Sequence, residues 1–385
     1  MRKPLRRLGF AAAALLVAAT AACSDDATET AAVALEPAPA EQQLAGVCPS
    51  TVVVQLQWSP ETDSGPIFGL LGPGYKVDPD NNKTTGPLVI NGKDTGVKLE
   101  IRAGGAAIGF QTVPSQMYVD PSITLGLAHS EQAIAAAGTQ PITAVTTLLR
   151  NSPQILMWDP KTHPDWKSIA DIGKSGKPVV VSKGQLFPDW LVARGLIKKD
   201  QIDVSYDSSP SRFVADPSIA QQGFVNDEPF IYEHEVKAWN KPVAYQLLKD
   251  LGYENYARTV NVRADKVAEL RPCLKKLVPM IQQSTAAFIA DPTPVDAKVV
   301  DVVAKNPKMS PYGAELAKSG SRALIDGGLM GPDTDGVIGS FDEPRVQRII
   351  DEFVPILRAG GANIPATLDA KTLVTKEFLD TTVTK

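Results

Sequence analysis

Short apolar runs rich in β-branched residues alternate with polar, turn-forming stretches through the first two thirds of the chain, and helical periodicity replaces them beyond Val267. Residues 51–57 (TVVVQLQ) predict a buried strand, which Pro60 turns out of its sheet. A helix is expected from about Ser64-Gly65-Pro66. Residues 88–90 and 97–101 flank a turn-rich 91–96 and predict a hairpin. Residues 123–127 predict another strand leading to a helix with Ser130 as its N-cap.

A second alternation opens at 152–158 (SPQILMW) and continues through 163–172, 178–181, a helix over 187–195, 202–206 and 223–225, before 245–256 returns toward the first set. Helices are then expected over 267–290, 295–304, 313–326 and 345–359. Repeated strand-then-helix units predict an α/β fold with its working loops at the strand ends. Residues 153–257 form the inserted second lobe, 47–152 and 258–385 the first, with two strands linking them.

Length supports the two lobes, because the roughly 340 residues beyond Gly46 exceed what one hydrophobic core usually organises. A net charge of −4, with no Lys/Arg run past the leader, argues against nucleic acid as a partner. The leader itself carries Arg2, Lys3, Arg6 and Arg7, then an apolar stretch over 10–19 too short to span a bilayer. Ala21-Ala22 precede Cys23, so residues 1–22 read as a lipoprotein signal peptide and Cys23 as the lipidated first residue of the mature protein. An ordinary secretory peptide with a stray cysteine is the alternative. Residues 23–46, acidic and rich in Ala and Pro, read as a disordered tether of roughly 25 Å reach. The body would then be exported, held by its lipid on the outer face of the cytoplasmic membrane, and monomeric.

Two cysteines remain, Cys48 and Cys273. In an oxidising exterior a lone pair is more often bridged than free, which predicts a Cys48–Cys273 disulfide; two buried thiols are the alternative. Neither has metal-ligand spacing, and no metal or cofactor is expected. Catalysis has no supporting constellation. His129, His163 and His234 are scattered, no histidine follows His234-Glu235 at zinc-protease spacing, the pairs Gly104-Gly105 and Gly327-Gly328 lack a phosphate-loop Lys, and no nucleophile elbow is present.

Several motifs, in order, carry a resemblance: the leader, Gln57-Trp58-Ser59-Pro60-Glu61 with Gly65, Asp171-Ile172-Gly173 before a Val-rich strand, and Gly223-Phe224-Val225-Asn226-Asp227-Glu228-Pro229. Together they resemble ABC-importer substrate-binding proteins, in the group named for thiamine-pyrimidine binders that also holds nitrate, taurine and sulfonate binders. That resemblance implies a two-lobed periplasmic-binding-protein fold of type II, closing over a small-molecule solute and presenting it to an ABC permease. A planar nitrogen heterocycle is the expected ligand class, with a sulfonate- or nitrate-type anion, or a sensor or adhesion module without a transporter, as alternatives.

Trp58 heads the expected ligand residues because a flat ring at a strand end can stack on a planar solute, although large aromatics also simply fill cores. Glu61 stands where an Asn is common in the relatives. Ser130 can bind an anionic or carbonyl group at a helix start, or serve only as the cap. Across the cleft, Lys183 and Gln185 follow one strand and Tyr206 and Asp207 the next. Asn226 and Glu228 fit the relatives' second-lobe segment before Pro229, where Glu228 either accepts N–H groups or is merely solvated. Gln111 and Tyr118 complete the set from the first lobe.

Overall fold

The computed structural model describes residues 35–384; the expected signal peptide, Cys23 with its lipid anchor, and tether residues up to 34 lie outside them. Twelve strands among the described residues divide into two sheets. Strands β1 (Thr51–Gln55), β2 (Lys76–Asp78), β3 (Lys83–Ile90), β4 (Lys93–Arg102), β5 (Leu125–Ala128) and β6 (Ile142–Leu149) lead into β7 (Gln154–Trp158), β8 (Val179–Val180), β9 (Ile202–Asp203), β10 (Ala220–Phe224) and β11 (Ala244–Leu247), and the chain returns through β12 (Ala257–Arg263). The first sheet has the order β2-β3-β4-β1-β5-β12-β6 and the second β11-β7-β10-β8-β9.

β1 runs parallel to both β4 and β5, so its carboxyl end opens beside theirs on one edge of the first lobe. In the second lobe β8 is parallel to β9 and β10, giving a matching row of strand ends. β1 is apolar along most of its length because both its faces are covered; Val52 and Val54 enter one core, Val53 another. The chain crosses between the sheets twice, once after β6 and once between β11 and β12.

The four late helices form as their periodicity predicts: Val267–Ala290, Thr293–Ala304, Ala314–Asp326 and Glu343–Ala359. Cys48 and Cys273 are bonded, fastening the segment before β1 to the first turns of helix Val267–Ala290. Glu343–Ala359, within the segment expected to belong to lobe 1, also meets lobe 2. It lies against helix Ser130–Ala136 of the first lobe and helix Phe187–Ala193 of the second, where Trp190 Nε1 donates to Glu352 Oε2 at 2.8 Å. Near its start Arg345, buried, grips both crossings at once: Nη2 donates to Arg150 O at 2.7 Å and Nε to Glu254 O at 2.6 Å. From helix Ser130–Ala136, buried Glu131 accepts from Tyr253 OH at 3.1 Å and from Asn255 Nδ2, tying the second crossing to lobe 1.

Three local expectations change. Composition assigned residues 23–46 to a tether, yet Leu35–Gly46 lies against the β4 side of the sheet: Ala38 N donates to Asp94 O at 2.7 Å, Leu44 N to Thr95 O at 2.8 Å, and Leu44 is fully buried. The hairpin turn is only Asn91-Gly92, both with positive φ (50° and 74°), so β4 begins at Lys93 and not at Val97. The helix cap falls on His129, which places Ser130 inside the first turn; His129 N donates to Gln132 Oε1 at 3.1 Å. Among the described residues no helix is long and apolar enough to cross a membrane.

Candidate functional site between the lobes

The end of β1 is held by glycines. Gly104 N donates to Trp58 O at 2.8 Å and Gly105 N to Gln57 O at 3.0 Å, and a Cβ at Gly104 would collide with the backbone of Leu56 and Gln57. This close approach carries the following loop over Trp58, whose ring centroid lies 5.9 Å from that of Phe110. Phe110 is 65% exposed and sits in left-handed backbone, φ 57°. Such a conformation costs a non-glycine residue roughly 1–2 kcal/mol, so an aromatic is held in the open against its local preference.

Beyond Pro60 the chain makes one tight turn, residues Thr62–Ser64, which buries Thr62, Asp63 and Ser64. Asp63 Oδ2 accepts from Arg258 Nε at 2.7 Å, and Arg258 Nη1 donates to Gln57 Oε1. Arg258 is 5% exposed and, like Phe110, has a left-handed φ, 53°, in an otherwise extended strand. The kink delivers a guanidinium from inside β12 to the mouth of the first sheet. Buried His129, at the end of β5, lies near enough for Arg258 to act on it; burial and then that positive charge drive its value down to about 3.

The second lobe answers with the segment after β10. Glu228 Oε2 accepts from Phe224 N at 2.6 Å, and Oε1 from Tyr206 OH at 3.3 Å, which joins the ends of β9 and β10. Asn226 and Asp227 are buried, with Asn226 Nδ2 donating to Asp227 Oδ2. The lobes touch here, since a Cβ on Gly320 of the first lobe would meet Asn226 O of the second at 2.7 Å; behind it, within the first lobe, Tyr312 OH lies 3.1 Å from Thr62 Oγ1.

Four carboxyl groups therefore gather around one guanidinium that Asp63 already holds. Burial, then the negative charge of Asp63, lift Glu61 well above the ordinary carboxylate range against the pull of Arg258, with Glu228 adding to the rise. Burial followed by Glu61, Glu228 and Asp63 does the same to Asp227. Glu228 is raised to about 7 by burial, opposed by its hydrogen bonds. Three buried oxygens here have no donor: Asp63 Oδ1, Asp227 Oδ1 and Asn226 Oδ1.

These raised values set a direction for stability. From about pH 4.5 to about pH 7 the folded protein keeps protons on Glu61, Asp227, Glu228 and Glu131 (the last also near 7, from burial) that the unfolded chain has released, so stability falls as pH rises. His129 opposes this, since its contribution is lost as pH falls from its ordinary value toward about 3, but it is one group against four. The ligand-free protein is expected to melt several degrees higher near pH 5 than near pH 8. A melting temperature that climbs steadily over that interval would contradict the cluster's protonation.

Of the residues expected from sequence, Glu61, Tyr206, Asn226 and Glu228 come together here, and Trp58 stands at the start of the same loop against Phe110. Lys183 and Asp207 are exposed in the loops after β8 and β9, and Gln185 accepts from Gln154 Nε2 at 3.2 Å at the same end of the second sheet. Gln111 is exposed and accepts from Gln116 Nε2 at 2.6 Å. Tyr118 is at the wrong end of the first sheet: its OH donates to Pro141 O at 2.9 Å and its ring lies under Arg263, at the far end of β12 from Arg258. Ser130 turns inward, its Oγ buried without a partner beside a water-sized cavity of about 10 Å³ lined also by Tyr256, Asn261 and Phe341. Sequence reasoning missed Asp63, Asp227, Arg258 and Phe110. A charge inside the apolar run Ala257–Arg263 was the one readable signal.

No family model matches the sequence, and neither does any curated protein. Solved structures do resemble the fold. The periplasmic nitrate-binding protein NrtA from Synechocystis PCC 6803 is 12% identical with a TM-score of 0.58, covering 86% of this chain and 87% of that one. The periplasmic aliphatic sulphonate binding protein SsuA from Escherichia coli is 13% identical with a TM-score of 0.57, covering 85% and 92%. The alkanesulfonate-binding protein SsuA from Xanthomonas axonopodis pv. citri, bound to MOPS, gives 11% identity and 0.53 over 85% and 99%. These likenesses show the fold: a two-lobed α/β periplasmic-binding-protein fold of type II.

Proposed function

We propose that this chain is an exported, lipid-anchored solute receptor of an ABC importer, without catalytic activity, whose lobes close over a small planar nitrogen heterocycle. The observation that carries this reading is the opposition of Glu61, Asp63 and Arg258 on one lobe to Asp227, Glu228 and Tyr206 on the other, with buried oxygens left lacking donors. A solute contacting both rows stabilises the closed arrangement in proportion to its preference for it, and that difference is what a permease can read. Arg345 and Glu131, which bind the crossings, are positioned to set how the lobes rotate. Export and anchoring rest on the leader and Cys23.

A sulfonate- or nitrate-type anion is the second reading, favoured by the binding proteins that share the fold. It would need donors, and Lys183 is the exposed cation nearest in sequence to the second lobe's strand ends. Native mass spectrometry of the protein extracted in mild detergent from its own source separates these readings. A bound nitrogen heterocycle is the expected result, a sulfonate or nitrate would establish the second reading, and an empty protein that also ignores a metabolite panel would favour a sensor or adhesion role.

A further inference from the structure

The charge balance between the lobes narrows the ligand further, an inference that rests on the receptor reading. We propose that the solute presents a positively charged, planar nitrogen group, of amidinium or guanidinium type, to the carboxylates between the lobes. Glu61 and Asp63 face it from the turn after β1, Arg258 from β12, His129 from the end of β5, and Tyr206, Asp227 and Glu228 from the second lobe, with Tyr312 behind. The single guanidinium is already satisfied by Asp63 and Gln57, which leaves an excess of acid.

Asn226 supplies independent evidence of what fits. It is 1% exposed, its Nδ2 donates to Asp227 Oδ2 and so sets the amide against the cluster, and its Oδ1 has no donor. With Asp63 Oδ1 this makes two buried acceptors awaiting N–H groups, and Asp227 Oδ1 becomes a third once its carboxyl ionises. A planar cation carries several such donors in one plane as well as the compensating charge. An anion would bring more acceptors to a site already rich in them. Among the described residues no three His, Cys, Asp or Glu side chains converge as metal ligands, which favours an organic cation over a metal ion. Trp58 and Phe110, on the same edge of the first lobe, offer aromatic faces to which a planar cation is attracted.

Binding a fixed cation requires the cluster to ionise, so affinity should rise with pH as protons leave. The test uses the full-length protein in detergent and three probes of one shape, benzamidinium, benzamide and benzenesulfonate, titrated calorimetrically near pH 6 and near pH 8. Benzamidinium should bind at least about tenfold more tightly than benzamide near pH 8, and about tenfold more weakly near pH 6, the change expected for one carboxyl titrating near 7. Glu228→Gln, and independently Glu61→Gln, should weaken benzamidinium and flatten its pH dependence. Equal binding of benzamide and benzamidinium, or binding of benzenesulfonate alone, overturns the cationic ligand while the receptor reading stands. Silence toward all three at millimolar concentration counts against both.

Discussion

Arg258→Ala is expected to destabilise the protein by about 3–5 kcal/mol, the cost of stripping one partner from a buried ion pair. Its guanidinium is 5% exposed and bonded to Asp63, and Asp63 itself is fully buried. Without it Asp63 is left unpaired among Glu61, Asp227 and Glu228. The penalty is expected to shrink toward acid pH, where Glu61 and Asp227, whose ionisation Arg258 favours, hold their protons in either protein. Denaturant unfolding near pH 5 and near pH 8 measures both statements. Asp63→Asn added to Arg258→Ala should recover most of the loss, because removing both partners leaves no buried charge behind. A single variant that loses under about 1 kcal/mol near pH 8 would show that the pair is hydrated and the acid cluster is not a desolvated site.

The same residue shows where sequence stops speaking. Apolar runs located β1, β5, β7, β8 and the four late helices, and helix Val267–Ala290 falls on its expected bounds, because burial against a sheet or a helix leaves a periodic trace; β2, β6 and β12 were not anticipated. The disulfide followed from the scarcity of cysteine. Glu61 and Glu228 were legible through the resemblance, which matches the segments around Pro60 and Pro229. Arg258 was not, since its place in the site depends on a left-handed kink that no hydrophobic pattern encodes. Tyr118 failed for a related reason: periodicity says which face of a helix is buried but not which end of the sheet it covers, and its hydroxyl reaches Pro141 instead. Residues 35–46 misled through composition, for two buried apolar positions, Ala38 and Leu44, suffice to dock a segment whose backbone pairs with Asp94 and Thr95.

Replacing both Cys48 and Cys273 with serine is expected to cost about 2–5 kcal/mol, the upper end being set by chain entropy for a bond that closes a separation of 225 residues. The bond joins two parts of lobe 1, the approach to β1 and the helix Val267–Ala290, with the whole of lobe 2 lying inside the loop it closes. Its loss therefore enlarges the unfolded ensemble of the entire body while touching no residue of the cleft. Urea unfolding of the oxidised protein and of the double variant should show a lower midpoint for the latter, with solute affinity unchanged in native buffer. Cys273 is fully buried, so a serine there adds a desolvation cost that alanine would not. Comparing the Ser and Ala double variants separates that cost from the entropic one. If the alanine pair unfolds at the same midpoint as the oxidised protein, the unfolded state already holds these segments together and the staple contributes little.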